Sequence, residues 1–171
     1  MSLILTVLRL IHISAGVFWA GTAIALAAFI MPAVKAAGPA GGEFMQKLMQ
    51  HTRLSFFMNL SSLLTSLAGI ALYWIISGGL SLNWLTTGHG LGITLGSIAG
   101  LLEYFSGLLI IAPTVKRMEG LGVAMQAAGG QPTPAQIAEM GTLERRLGGS
   151  QIRGAVFLAI AVIGMAIARY L

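Results

Sequence analysis

Residues 3–33 read LILTVLRLIHISAGVFWAGTAIALAAFIMPA, an apolar run broken by a single formal charge, Arg9. A helix needs about 20 mostly apolar residues to cross the hydrocarbon core of a bilayer, and this run is longer than that. It carries no basic residue ahead of the apolar stretch and exceeds the length of a cleaved secretion signal, so it reads as a span. Stretches at about 54–77, 91–113 and 152–170 have the same character. Helices close their own backbone hydrogen bonds in lipid, which short alternating strands do not. The expected architecture is an all-α integral membrane four-helix bundle forming one domain over residues 1–171.

Composition agrees. The chain is 56% hydrophobic and only 9% charged, with mean hydropathy +0.86, whereas an average soluble domain is about a quarter charged. Cysteine is absent, which excludes disulfides and thiolate metal sites. Aspartate is absent too, excluding a Ser-His-Asp arrangement. There is no phosphate loop, dinucleotide fingerprint or His-Glu-x-x-His. The +5 net charge comes from ten Lys and Arg against five Glu. Because the basic residues form no long run, they suit an anionic bilayer surface and not nucleic acid.

Those charges orient the spans. Lys35, Lys47, Arg53, Lys116, Arg117, Arg145, Arg146 and Arg153 lie in or beside the segments at 34–53 and 114–151, while only Arg9 and Arg169 lie on the side of the termini. The positive-inside rule therefore predicts a cytoplasmic basic side and both termini on the outer side. The stretch KAAGPAGG at 35–42 reads as a hinge, and EFMQKLMQHTR at 43–53 as an amphipathic lead-in to the second span. In the short loop at 77–90, Trp84 has the placing of an interfacial anchor. Residues 120–131 read as a loose Gly/Ala-rich loop. Thr133-Pro134 then predicts a capped helix over about 134–147, stopped by Gly148-Gly149. No internal repeat is evident.

Ionisable residues at membrane depth are costly and usually face a bundle interior, cavity or cofactor. His12 lies inside the first span, on a face with Gly16, Trp19, Ala20, Ala23 and Ala27. Imidazole is a standard ligand of metals and haem iron, and Gly16 leaves room for a flat macrocycle. It equally lets a neighbouring helix approach, leaving His12 a packed histidine bonded to a Ser or Thr. His89, at the start of the third span, can share an iron with His12 only if that helix starts early or the loop dips inward. Otherwise it is an interfacial histidine. His51, on the basic side, reads as a surface residue. Arg9 and Arg169 can pair with haem propionates or snorkel to lipid phosphates.

Glu103 falls mid-way along the third span and is the candidate catalytic carboxyl. It can pass protons, bind a cation, or hydrogen-bond Asn59, Ser62 or Thr65. Gly92, Gly96 and Gly100 form a stripe for close approach by a helix, a second protomer or a ring face. The nine methionines lack Met-x-x-Met clusters. A soft-metal path through Met31, Met45, Met49 and Met58 stands beside their ordinary use as core filler.

The segment LRLIHISAGVFWAG at 8–21 resembles the first helix of small bacterial membrane proteins related to copper-resistance protein D. It is similar also to the haem-binding membrane protoporphyrinogen oxidase family. Both place a histidine in that helix with a Trp seven residues on and a glycine soon after, here His12, Trp19 and Gly21. The Met-bearing basic stretch GEFMQKLMQHTRL is similar too, so the likeness covers about the first 65 residues. It implies haem b bound through His12, or copper handling, in a bacterial inner membrane. The oxidases carry a lysine within their third helix, where this chain has none and offers Glu103.

The leading expectation is thus a multi-pass b-type haem protein with a redox or electron-transfer role near the outer face, and, if an enzyme, a haem-dependent oxidoreductase. His12 is the axial ligand, His89 a possible second, and Gly16 and Trp19 line the site. Arg9 and Arg169 meet the propionates. A quinone or small oxidant is a candidate redox partner, and the glycine stripe a route to a homo-oligomer. The rival readings are a copper or cation transport or insertion protein and a cofactor-free structural subunit.

Overall fold

The computed structural model describes residues 3–127, 129 and 131–171, and all regular structure among them is helical. Helix α1 (Leu3–Ala25) passes through a π-helical segment, Leu26–Ile30, into α2 (Met31–Ala36). Next come α3 (Pro39–His51), α4 (Leu54–Ile76) and the short α5 (Leu82–Leu85). Helix α6 (Gly88–Ser106) runs through a second π segment, Gly107–Ile111, into α7 (Ala112–Ala127). Helix α8 (Pro134–Ile167) finishes in a 3-10 turn, Ala168–Tyr170. Four stretches are long and apolar enough to span a membrane: Leu3–Ala36, Leu54–Ile76, Gly88–Ala127 and Pro134–Tyr170.

The two π segments share one cause. Proline lacks an N–H and its ring collides with the carbonyl four residues back. Pro32 and Pro113 each follow a π segment at the same offset, and the residues before them, Met31 and Ala112, donate five residues back to Leu26 and Gly107. Widening one turn accommodates the ring without ending the helix. Helix α1 packs most extensively on α4, and α6 on α8; contacts of α1 with α8 and α4 with α6 close the bundle. The molecule is therefore two antiparallel hairpins, each led by a π-interrupted, proline-bearing helix. This internal correspondence lies in backbone geometry and does not register as sequence repetition.

The packing is that of a membrane bundle. Small side chains occupy the interior, among them Ala68, Ala99, Ala161, Ser61, Thr65 and Ser150, while Leu67, Ile70, Leu95, Ile98, Ile160 and Ile163 face outward. Lipid tails are as apolar as leucine, so helices associate through close contact of small residues. A Cβ at Gly92 would stand 2.9 Å from the Ala168 Cβ, and one at Gly96 would stand 3.0 Å from the Met165 Cγ. The glycine stripe is thus occupied by α8 of the same chain. The homo-oligomer expected from it loses that basis.

The loop expected at 120–131 gives way to helix as far as Ala127, positions 128 and 130 lying outside the described residues, and the separate helix at 134–147 is revised. Helix α7 continues to Ala127, and α8 runs unbroken through Gly148-Gly149. Glycine costs about 1 kcal/mol within a helix and stops one reliably only in the left-handed conformation. Neither Gly148 nor Gly149 adopts it, and the adjoining Ser150 is fully buried, so packing holds the helix together. The start of α8 follows the sequence reading. Thr133 accepts from the Gln136 N–H and Gln136 reaches back to the Thr133 N–H, closing a capping box with Pro134 in the first turn. Arg117 and Glu139 form a 2.6 Å ion pair between α7 and α8, at an exposed position where such pairs contribute little.

Candidate functional site

Apart from Glu103, the candidate residues lie toward the end of the bundle that holds Leu3 and Leu171. His12 is half-buried in α1, and its Nδ1 lies 2.8 Å from the Thr65 carbonyl of α4. A carbonyl only accepts, so Nδ1 is the donor, which in a neutral imidazole leaves the lone pair on Nε2. The partner is thus a backbone group, where the sequence suggested a Ser or Thr side chain. Gly69 supplies the room, because a Cβ there would come within 2.8 Å of the imidazole Cε1 and 2.9 Å of Nδ1.

Helix α6 starts early enough to bring His89 into play. Thr87 caps it, accepting from the Gly90 N–H at 2.9 Å, which places His89 in the first turn. The His89 Nδ1 lies 3.1 Å from the Ala168 carbonyl at the end of α8, and by the same argument it donates, leaving Nε2 free. Trp84 does more than sit at an interface. Its indole is edge-on to both Tyr73 and His89, with ring centroids 5.6 and 6.0 Å away.

Two adjoining cavities meet at His12. The smaller, about 300 Å³, is lined by Arg9, His12, His89, Tyr73, Ser97 and Met165 among others. The larger, about 740 Å³, shares His12, Tyr73, Ser97 and Met165 and adds Gly16, Trp19, Thr65, Gly100 and Leu158. Small-molecule and cofactor sites commonly fall between about 300 and 1,000 Å³ and are mostly apolar with a few placed polar groups. Thr65 Oγ1 is buried without a hydrogen-bond partner beside the larger cavity. The Tyr73 hydroxyl and Thr94 Oγ1, 2.7 Å apart, tie α4 to α6 across it.

The residues expected from sequence therefore divide. His12, His89 and Arg9 share one cavity, and Gly16 and Trp19 line the next. Arg169 does not reach either; its guanidinium lies over the Tyr170 ring, 5.1 Å from the centroid. Glu103 stands apart as well. It is buried in α6 against Gly154 of α8 and forms no bond to the α4 residues expected for it; Asn59 faces outward. Gly69, Tyr73 and Met165 escaped the sequence reading, and Thr65 entered it only as a partner for Glu103. An uncharged glycine or methionine in an apolar span carries no local sign of what it touches.

The residues present suit a haem only across both cavities: His12, His89 and Arg9 line the smaller, which adjoins at His12 the larger and more apolar one. Among the described residues no group of three or more His, Cys, Asp or Glu could hold a metal by itself, which a haem does not need. What fold and site define is a four-span helical membrane protein with a paired-histidine cavity. The chain matches no family model, no curated protein and no solved structure at a significant level.

Proposed function

We propose that the protein is a b-type haem membrane protein with a redox or electron-transfer role on the side of its termini, the outer face of a bacterial inner membrane by the charge rule. The observation that carries this reading is the lining of one cavity by His12 and His89, each with Nδ1 tied to a carbonyl. A second hydrogen bond of that kind orients an imidazole and raises its basicity as a ligand. The resemblance of residues 8–21 to haem-binding membrane proteins points the same way.

When bound, the haem iron supplies one-electron chemistry. His12 and His89 would hold the iron through their Nε2 atoms. Arg9, on the lining of the same cavity, would meet a propionate by charge-assisted hydrogen bonds. Trp19 and Leu158, on the adjoining cavity, would keep water from the ring. A quinone or another small membrane-soluble molecule is the fitting redox partner.

Met165 favours a second reading. Its thioether side chain lines both cavities beside His12, and thioether with imidazole suits copper(I). Absorption spectra of the oxidised and dithionite-reduced protein, purified in mild detergent from haem-supplied cells, separate the two. A Soret band, lost in His12→Ala and shifted in His89→Ala, is the expected result. A featureless spectrum with bound copper moves the assignment to metal handling, and one without metal moves it to a structural subunit.

A further inference from the structure

Among the described residues Glu103 is the one buried carboxyl, and although the larger cavity reaches Gly100 and Leu158 a turn away, it lines neither cavity. It lies fifteen residues along α6 from Gly88, roughly 22 Å toward the basic side at 1.5 Å per residue. Only 5% of it is exposed. Gly154 of α8 is the notch that receives it, since any Cβ there would overlap the carboxyl. Its Oε2 is buried without a hydrogen-bond partner.

The surroundings say what is missing. Gln151 lies one turn before Gly154 on α8, the spacing that puts both on one face of that helix, and its Oε1 is likewise buried without a donor. The Gln151 amide also carries an NH2 donor, but each of these two buried oxygens lacks one, and an orphaned buried acceptor bears the full cost of its desolvation. A proton on the carboxyl removes the charge and supplies a donor. Two oxygens are also too few for a hard divalent cation, which takes about six or more.

The charged groups nearby mark one side. Arg153 of α8 acts on Glu103 electrostatically and donates to Ser150 Oγ at 3.0 Å. Lys35 of α2 places its Nζ by Gly148, further toward the basic end. Helix α1 contributes no titratable group at this depth. On α6 itself Tyr104 packs toward the Trp19 and Leu158 cluster, and Lys116 and Arg117 of α7 are exposed.

We propose that Glu103, seated in the Gly154 notch one helical turn from Gln151, is a proton-binding site that exchanges its proton with water on the basic side of the membrane. The step is simple protonation: the carboxylate takes a proton from that water and returns it there. This site does not depend on haem at the other end.

The test is reaction with the membrane-soluble reagent dicyclohexylcarbodiimide, which attacks protonated carboxyls in apolar surroundings. Full-length protein in liposomes is labelled across a pH series and mapped by mass spectrometry. Glu103 should be modified while the aqueous Glu43, Glu119, Glu139 and Glu144 are not, and the rate should fall about tenfold per pH unit once the carboxyl ionises. Glu103→Gln should not react. An infrared difference spectrum of the wild type gives a second readout that needs no variant: a protonated-carboxyl C=O band lost at alkaline pH. No labelling of Glu103, a rate that ignores pH, or protection by sodium at constant pH would overturn the proposal.

Discussion

Gly69 carries more of the site than its size suggests. The His12 imidazole lies where the methyl of any larger residue would be, so Gly69→Ala must displace the ring or spread α1 from α4. Overpacking of this kind costs about 1–3 kcal/mol. The thermal midpoint in detergent should fall, and any His12-dependent absorption band should shift or vanish. An unchanged midpoint and spectrum would mean that the imidazole sits elsewhere. His12 itself stood out in the sequence because an ionisable group in an apolar span is conspicuous. Its neighbours did not, since glycine, threonine and methionine are ordinary there.

At the scale of elements, the closest seam is α6 on α8. Gly96 lies against both the Met165 side chain and the Ala161 carbonyl, so a long side chain cannot be absorbed by one flexible neighbour. Gly96→Leu should therefore destabilise the bundle by several kcal/mol, read as early aggregation on heating in size-exclusion assays. Gly107→Leu makes a control on the same helix, because a Cβ at Gly107 meets nothing within 4 Å. Equal losses in the two variants would deny the seam its role. The start of α8 at Thr133-Pro134 was readable from chemistry local to the chain, whereas α6 begins at Gly88, ahead of the stretch read at 91–113, and α3 at Pro39, inside the stretch read as a hinge. The course of α8 was not readable either: Gly148-Gly149 resembles a stop signal, and only contact with other helices decides against it.

For the whole molecule, hydropathy and charge bias predict an even number of crossings with both termini opposite the basic segments. Because cysteine is absent, single cysteines report sidedness without background. In intact cells a membrane-impermeant maleimide should label Asn83→Cys, between α4 and α6, and leave Lys47→Cys unlabelled until the membrane is opened. The reverse pattern would invert the topology and place the histidine cavity on the cytoplasmic side.

The four spans and the oddity of His12 and Glu103 follow from the sequence alone, because the bilayer imposes length and apolarity on each segment independently. What required the tertiary structure is every relation between segments. His89 meets the His12 cavity because α6 begins at Gly88, and Arg169 misses it because its guanidinium lies over Tyr170. Glu103 faces Gly154 on α8 and not the hydroxyls of α4, because the glycine stripe seats α6 on α8. In a bundle whose interior is mostly Gly, Ala, Ser and Thr among the described residues, many faces are equally able to pack. Which ones do is decided by the fit of whole helices.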